Sequence, residues 1–237
     1  MTFYAPENRL VLACFEASRA WFSDEITLQK AISSKSETDN GEFAQFLKVW
    51  QLRRNAKACP ESRRQLLKRL GSIAENYADR EAIKRPGFQA EIDSLRITES
   101  QPDGLTYGRP VSMVSKFLFC KNPWEFSPYD QYTRRALNSL GASITVANYA
   151  AFVDAFDRFH EFVQKDMSKK ELEYEAFKFG TKKFESNELF TRRVADKYLM
   201  LLGGFGDGRM VNDINEVKGE FPRKTRADHG HVLEPRS

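Results

Sequence analysis

The sequence has 237 residues, of which 41% are hydrophobic, and this length suits one domain with a sizeable core or two small ones packed together. Its net charge of +4 permits a polyanionic partner without identifying one. No segment approaches the roughly 20 apolar residues that cross a bilayer, and residues 1–7 lack the basic start and apolar stretch of a secretory signal. We therefore expect no membrane association and a cytoplasmic location.

The three cysteines, Cys14, Cys59 and Cys120, are widely separated and form no CxxC pair. This spacing argues against a zinc site or a disulfide framework, and we expect reduced, mostly buried thiols. His229 and His231 lie in a polar tail without acidic or cysteine partners at ligand spacing. The sequence therefore predicts no metal site and no cofactor.

Apolar residues recur at helical spacing along the first half of the chain. Helices are predicted over residues 9–22 and 26–32, followed by a polar loop over 33–41. A further helix contains Phe43 and Trp50 and ends before Pro60, which suits the first turn of the next helix, extending to Tyr77. Residues 88–97 are the last predicted helix of this half.

The second half begins with a connection, residues 98–110, that is rich in Ser, Gln, Pro, Asp and Gly. Helices are predicted over 111–120, 130–140, 148–163, 171–179 and 187–202, with a proline-containing loop over 122–128. No window of alternating β-branched residues competes with them. We therefore predict an all-α domain of about ten helices over residues 1–208, either undivided or with two lobes (1–100 and 101–208) around a cleft. A polar tail over 209–237 follows.

Paired basic residues recur along the chain, and such pairs usually mark solvated helix faces. Lys57, Arg64 and Lys68 can also form one stripe that follows phosphates, with an affinity that falls as salt rises. The pairs are Arg53-Arg54, Arg63-Arg64, Lys68-Arg69, Lys84-Arg85, Arg134-Arg135, Lys182-Lys183 and Arg192-Arg193.

One segment combines residues that can carry chemistry. Lys116 stands in an otherwise apolar helix, and Asp130 follows 14 residues later, after a Pro-Tyr turn and directly before a new helix. Burial lowers the pKa of a lysine, so that its neutral amine becomes a nucleophile. A carboxylate at a helix start is stabilised in its ionised form by the free N–H groups. The structural alternative is that Lys116 extends to solvent and Asp130 only caps its helix.

The same residues resemble a known family. Lys116 within a helix, then Pro128-Tyr129-Asp130, then Arg134-Arg135-Ala136-Leu137, is similar to the helix-hairpin-helix DNA glycosylase superfamily, in particular its 8-oxoguanine DNA glycosylase-like branches. The resemblance covers roughly residues 108–140, with Tyr107-Gly108-Arg109-Pro110-Val111 as a degenerate form of the glycine-rich hairpin. It implies an all-α fold, Asp130 as the catalytic aspartate and Lys116 as a nucleophile.

The resemblance also implies a mechanism and a partner. A nucleotide of duplex DNA is flipped into a pocket, its N-glycosidic bond is cleaved with Asp130 supporting the sugar cation, and Lys116 or a water attacks C1′. Candidate pocket walls are Trp124, Phe126 and Tyr129, whose rings can equally pack in the core. Candidate DNA-binding residues are Arg109, Lys121, Arg134, Arg135, Arg192 and Arg193. We expect a monomer that excises a base in base-excision repair or in defence against modified phage DNA.

Two other functions remain open at this point. A non-enzymatic helical module for DNA or RNA binding keeps the basic residues and needs no chemistry at Lys116 and Asp130. A helical protein-interaction subunit would use phenylalanine-rich surfaces, since the chain has 19 phenylalanines.

Overall fold

Helices account for all regular secondary structure in the computed structural model, which describes residues 9–33, 40–145, 148–177 and 181–205. Within these residues no strand forms; isolated bridges pair Ala56 and Arg96 with Thr106, and Thr98 with Gln101. The predicted all-α class is confirmed. The α-helices of this part of the chain are α1 (Arg9–Ala20), α2 (Ile26–Ser33), α3 (Asn40–Val49), α4 (Pro60–Asn76), α5 (Phe88–Asp93), α6 (Val111–Lys121), α7 (Gln131–Ser139), α8 (Tyr149–Lys169) and α9 (Asn187–Leu202).

A π-helical segment, Trp21–Glu25, joins α1 to α2 without a break. The N–H of Ile26 bonds to the carbonyl oxygen of Trp21, five residues earlier, which is the wider π-helical turn. The buried side of this continuous helix contains Leu10, Cys14 and Trp21, and Glu25 is buried at its π-helical end. The extra residue in this turn therefore brings a carboxylate into the core.

Helix α9 lies at the centre of the fold, where it packs against α1, α7 and α8. Its buried residues lie on all its sides and include the charged Arg192, Arg193 and Asp196. Because α1 and α9 are neighbours, the two ends of the described chain share one core. The predicted division into lobes 1–100 and 101–208 stays a prediction, and the tail 209–237 lies outside the described residues.

Phenylalanine dominates this core, as the composition indicated. Among the described residues, only Phe15 and Phe205 are exposed phenylalanines. The phenylalanine-rich interaction surface considered from the sequence therefore loses its main support. The buried phenylalanines are Phe22, Phe43, Phe46, Phe88, Phe117, Phe119, Phe126, Phe152, Phe156, Phe159, Phe177, Phe184 and Phe190.

The prediction of a helix over residues 171–179 is wrong for residues 171–177, which the structure describes. Helix α8 continues beyond the predicted end to Lys169, and the N–H of Leu172 then bonds to the carbonyl of Met167. Glu171 adopts a left-handed backbone with a φ of 53°, which turns the chain away from the helix axis. Only a 3₁₀ turn, Tyr174–Ala176, follows, and residues 178–180 lie outside the described part.

Helix α5 ends at Asp93 rather than at the predicted Ile97. The carbonyl of Leu95 instead accepts the main-chain N–H groups of Leu105 and Thr106 and the hydroxyl of Thr106. Gly104 makes this return possible, since a Cβ there would stand 2.3 Å from the carbonyl oxygen of Arg96. The predicted connection before α6 is thus a folded loop that brings residues 105–110 back to the helical core.

Candidate active site

Helix α6 places Lys116 inside the protein. All residues of the helix from Met113 to Cys120 are buried, and the Lys116 side chain is the only charged one among them, with 8% of its surface exposed. Its ammonium Nζ lies over the ring of Trp50, 5.6 Å from the ring centre. Burial lowers the pKa of Lys116, and the carboxylate of Asp130 opposes this shift more than any other charge.

Asp130 caps the start of α7, as the sequence predicted. Its Oδ1 accepts the main-chain N–H of Tyr132 at 2.7 Å, and its own N–H donates to Oγ1 of Thr133 at 3.1 Å. This reciprocal arrangement is a capping box, which fixes the first turn of the helix and the direction of the aspartate. The main-chain N–H of Thr133 also donates to the Asp130 carboxylate as part of this box, and the residue is partly exposed.

Two serines of α6 hold the residue that precedes Asp130. Oγ of Ser115 accepts the N–H of Tyr129 at 2.9 Å, and Oγ of Ser112 donates to the carbonyl of Tyr129 at 3.1 Å. We call Ser112 and Ser115 the serine clamp. Since Ser115 precedes Lys116 in sequence, the clamp ties the two candidate catalytic residues to one backbone frame.

The loop over residues 122–128 is held from its other side by two arginines. Arg80 donates to the carbonyls of Trp124 and Glu125 at 2.9 and 3.2 Å, and Arg192 donates to Oγ of Ser127 at 3.1 Å. The carboxylate of Asp157 bridges the two guanidinium groups at 2.9 and 3.0 Å. The segment that leads to Asp130 is therefore rigidly placed.

A second group of charges lies in the core beside α6. We call Glu25, Arg193, Asp196 and Lys197 the buried charge cluster. Arg193 contacts Glu25 at 2.6 Å and Asp196 at 3.2 Å, and Lys197 lies 3.6 and 3.7 Å from the same two carboxylates. Burial raises the pKa of Asp196 against the attraction of Arg193, whereas the two cations outweigh burial at Glu25 and lower the pKa of that carboxyl.

The three aromatic residues predicted as pocket walls differ in exposure. Phe126 and Tyr129 are buried, with the Tyr129 ring edge-on to Phe152 at 5.1 Å between centres. Trp124 is partly buried and packs against the core. The rings of Phe126 and Tyr129 therefore belong to the core, and of the three predicted pocket walls only Trp124 is partly exposed.

The predicted DNA-binding residues fall into two groups. Arg109 is exposed, while Lys121, Arg134 and Arg135 are partly exposed, and Arg135 also donates to the carbonyl of Gly203 at 3.2 Å. These four remain candidates for phosphate contacts.

The sequence-based prediction that Arg192 and Arg193 bind DNA is wrong. Their side chains are 4% and 1% exposed, and each is paired with a carboxylate, that of the partly buried Asp157 and that of the buried Glu25 respectively. The guanidinium groups also lie over the rings of Phe156 and Phe119. A phosphate of DNA has no access to them, so that their role is internal.

His160 is also internal. Its Nε2 lies 2.8 Å from Oγ1 of Thr191, and burial together with nearby arginines lowers its pKa to about 3. The imidazole therefore stays neutral at physiological pH, in keeping with a packed helix residue.

Two cavities among the described residues, a cleft and a small pocket, are lined by neither Lys116 nor Asp130. A cleft of about 630 Å³ lies between the end of α8 and the start of α9 and contains Gln164, Met167 and Thr191 in its lining. A small one of about 70 Å³ lies beside Arg96 and Arg109 at the start of α6. In the same part of the chain no group of three potential metal ligands occurs, and no helix is long and apolar enough to span a membrane.

Sequence reasoning missed the serine clamp and three members of the buried charge cluster, Glu25, Asp196 and Lys197. The serine spacing is a readable signal, because Ser112 and Ser115 lie on one side of α6, three residues apart. Glu25 has no comparable signal, since its partner Arg193 is 168 residues away in sequence.

Comparisons with protein-family models, with curated proteins and with solved structures found no significant match. The functional argument therefore depends on the site itself.

Proposed function

We propose that this protein is a DNA glycosylase that extrudes a damaged or modified nucleotide from a duplex and cleaves its N-glycosidic bond. The observation that carries the proposal is the serine clamp, which ties the helix of a buried lysine to the turn that holds a helix-capping aspartate. Asp130 is the strongest of the charges that counter the lowering of the Lys116 pKa by burial. Perturbed groups with a specific charged partner are typical of catalytic sites.

Each residue has a defined role in this reaction. As the bond between C1′ and the base breaks, its electron pair leaves with the base and positive charge develops on the sugar. The partly exposed carboxylate of Asp130 stabilises that charge. The neutral amine of Lys116 then bonds to C1′ and, after loss of a proton and opening of the sugar ring, forms a Schiff base; alternatively a water attacks and gives its proton to Asp130.

The reaction also requires that Lys116 becomes accessible. Its side chain is only 8% exposed in the free protein. The proposal therefore includes a rotation of its four-carbon chain from the ring of Trp50 toward the bound sugar when DNA binds. Arg109, Lys121, Arg134 and Arg135 are the proposed phosphate contacts around the same segment.

Base release from a panel of duplexes with damaged or hypermodified bases tests the proposal. We expect Asp130→Asn to abolish base release while the protein stays folded and bound to DNA, because asparagine also caps helices. The matched control is Asp79→Asn, since Oδ1 of Asp79 accepts the N–H of Ala82 in a similar turn. Failure of the wild-type protein on the whole panel, or full activity of Asp130→Asn, would overturn the proposal.

Borohydride reduction tests the role of Lys116 separately. A trapped protein–DNA adduct that disappears in Lys116→Gln identifies the amine as the nucleophile. Base release without any trapped adduct assigns the chemistry to Asp130 and water.

A non-enzymatic nucleic-acid-binding module is the second candidate, and the basic surface before and along α4 favours it. Arg53, Arg54 and Lys68 are exposed there, whereas Lys57 is partly buried and donates to the carbonyl of Pro102. Arg64 is exposed but paired with Glu61 at 2.6 Å. This function predicts salt-sensitive binding that is retained in Asp130→Asn together with every biological effect.

A further inference from the structure

Stability alone does not account for the buried charge cluster. Each ion taken from water costs several kcal/mol, and well-packed apolar residues usually stabilise a core as well as a buried ion pair does. The side chains of Glu25, Arg193 and Asp196 are 6%, 1% and 2% exposed, so that the full cost applies. Such a cluster beside a candidate nucleophile points to a functional purpose.

The two carboxylate oxygens of Asp196 differ in their contacts. Oδ2 contacts Arg193 at 3.2 Å and Lys197 at 3.7 Å, whereas Oδ1 is buried and has no hydrogen-bond partner. A buried acceptor without a donor is costly, and its negative charge attracts any further cation in the core. Lys116 on α6 is one of the cations on which this charge acts.

A contiguous row of side chains links Lys116 to the cluster. Lys116 lies over Trp50, whose ring is 5.9 Å from that of Phe119, and the guanidinium of Arg193 lies 4.8 Å from the centre of Phe119. Phe119 is one turn from Lys116 on α6, and Asp196 is one turn from Arg193 on α9. Side chains in contact therefore connect the amine on α6 to the carboxylate on α9.

We propose that Asp196 is a positioning residue that controls the charge of the Lys116 amine from inside the core. The charged groups that act on Lys116 are Asp130 at the start of α7, Asp196 and Lys197 on α9, and Glu25 on the π-helical segment. The three carboxylates favour the ammonium form, and Lys197 opposes it. Only the consequence for catalysis rests on the proposed glycosylase function.

Nitrogen NMR of the full chain, with ¹⁵N in the lysine side chains, measures this charge directly. The Lys116 signal is assigned by its absence in Lys116→Gln and followed against pH. We expect Asp196→Asn to move the titration midpoint to lower pH by roughly one unit, because an attractive anion is lost. Lys197→Met is expected to move it to higher pH, because a repelling cation is lost.

The opposite signs make the test independent of general damage to the fold, and Lys197→Met keeps it decisive if Asp196→Asn does not fold. Glu188→Gln removes an exposed negative charge from the same helix and is the matched control, with no shift expected. A Lys116 midpoint that stays in place in either variant, or that moves in the same direction in both, would overturn the inference.

The two proposals fail in different ways. If the midpoints move as expected but no duplex loses a base, charge control by Asp196 stands and the glycosylase function does not. If bases are released but the Lys116 midpoint does not move in Asp196→Asn, only the inference about Asp196 is overturned. In an active enzyme, the pH below which the yield of the borohydride-trapped adduct declines is expected to follow the NMR midpoint. This pH should be lower in Asp196→Asn and higher in Lys197→Met.

Discussion

Ser115 accepts a hydrogen bond from the main-chain N–H of Tyr129, with 2.9 Å between the hydroxyl oxygen and the nitrogen. Both residues are buried, and they are the direct sequence neighbours of Lys116 and Asp130. Together with the hydroxyl of Ser112, which donates to the carbonyl of Tyr129, this hydroxyl sets the distance between the helix that carries the amine and the turn that carries the acid.

Ser115→Ala is the first prediction. The change leaves the N–H of Tyr129 buried without an acceptor, which costs about 1–3 kcal/mol of unfolding free energy. Because the turn before Asp130 is released, kcat for base release is expected to fall while the Kd for duplex DNA stays the same. Urea unfolding and single-turnover kinetics measure the two effects.

The control for this variant is Ser168→Ala. Ser168 is also a helix serine whose hydroxyl bonds to a main-chain carbonyl, that of Gln164, but it is exposed and far from the site in sequence. Equal losses of stability in the two variants would contradict a specific role of the serine clamp.

Lys116→Met concerns the pH dependence of stability. Burial lowers the pKa of Lys116 in the folded protein below its ordinary value of 10.5. At pH values between the folded-state pKa and 10.5, the unfolded chain therefore binds more protons than the folded protein. Wild-type stability relative to Lys116→Met should therefore rise as the pH rises toward 10.5, and fall as the pH decreases. Urea unfolding of both proteins across this range checks the sign.

The exposed variant Lys68→Met controls for the change in net charge. A difference between wild type and Lys116→Met that does not vary with pH would show that the buried amine has the same proton affinity in both states.

Local signals explain which parts of the fold could be predicted. Helix α9 has the predicted bounds, 187–202, because Ser186 caps its start and Gly203-Gly204 ends it. Pro60 likewise begins α4, and Asp130 caps α7 as expected. Each of these boundaries is determined by a residue with one strong backbone preference.

The burial of charges could not be predicted in this way. The pair Arg192-Arg193 resembles any solvated basic pair, and what distinguishes it is Asp157 and Glu25, which are distant in sequence. Glu25 is turned inward by a π-helical segment that leaves the apolar periodicity of α1 unchanged up to Trp21. The apolar surroundings of Lys116 and the cap by Asp130 could be predicted from local sequence, whereas the buried charge cluster depends on tertiary packing.

Gly203→Ala tests the contact between α7 and the end of α9. A Cβ at this position would stand 2.1 Å from the carbonyl oxygen of Tyr132, so that the first turn of α7, which Asp130 caps, has to move. We expect a loss of about 1–3 kcal/mol, as for other overpacked sites, and a lower rate of base release. Thermal unfolding and single-turnover kinetics measure both.

The matched control is Gly71→Ala, within α4, where nothing lies within 4 Å of the added methyl group. This change is expected to raise the unfolding free energy by about 0.5–1 kcal/mol, because alanine is the better helix residue. Equal effects of the two substitutions would contradict the close approach of α7 to Gly203.

Arg193→Met removes the centre of the buried charge cluster. The carboxylates of Glu25 and Asp196 then lose their closest cation, and an uncompensated buried charge costs about 3–5 kcal/mol. Arg19→Met, which breaks the exposed ion pair of Arg19 with Glu16, should cost no more than about 1 kcal/mol. Urea unfolding at neutral pH compares the two variants.

Replacing the three core charges together decides whether the loss comes from unpaired charge or from lost packing. If unpaired charge dominates, the combined variant Glu25→Met, Arg193→Met and Asp196→Leu recovers most of the stability that Arg193→Met alone loses, because no carboxylate remains without a cation. If lost packing dominates, the combined variant is less stable than the single one. Recovery of stability together with a changed Lys116 titration would show that the cluster is kept for its effect on the Lys116 amine and not for the fold.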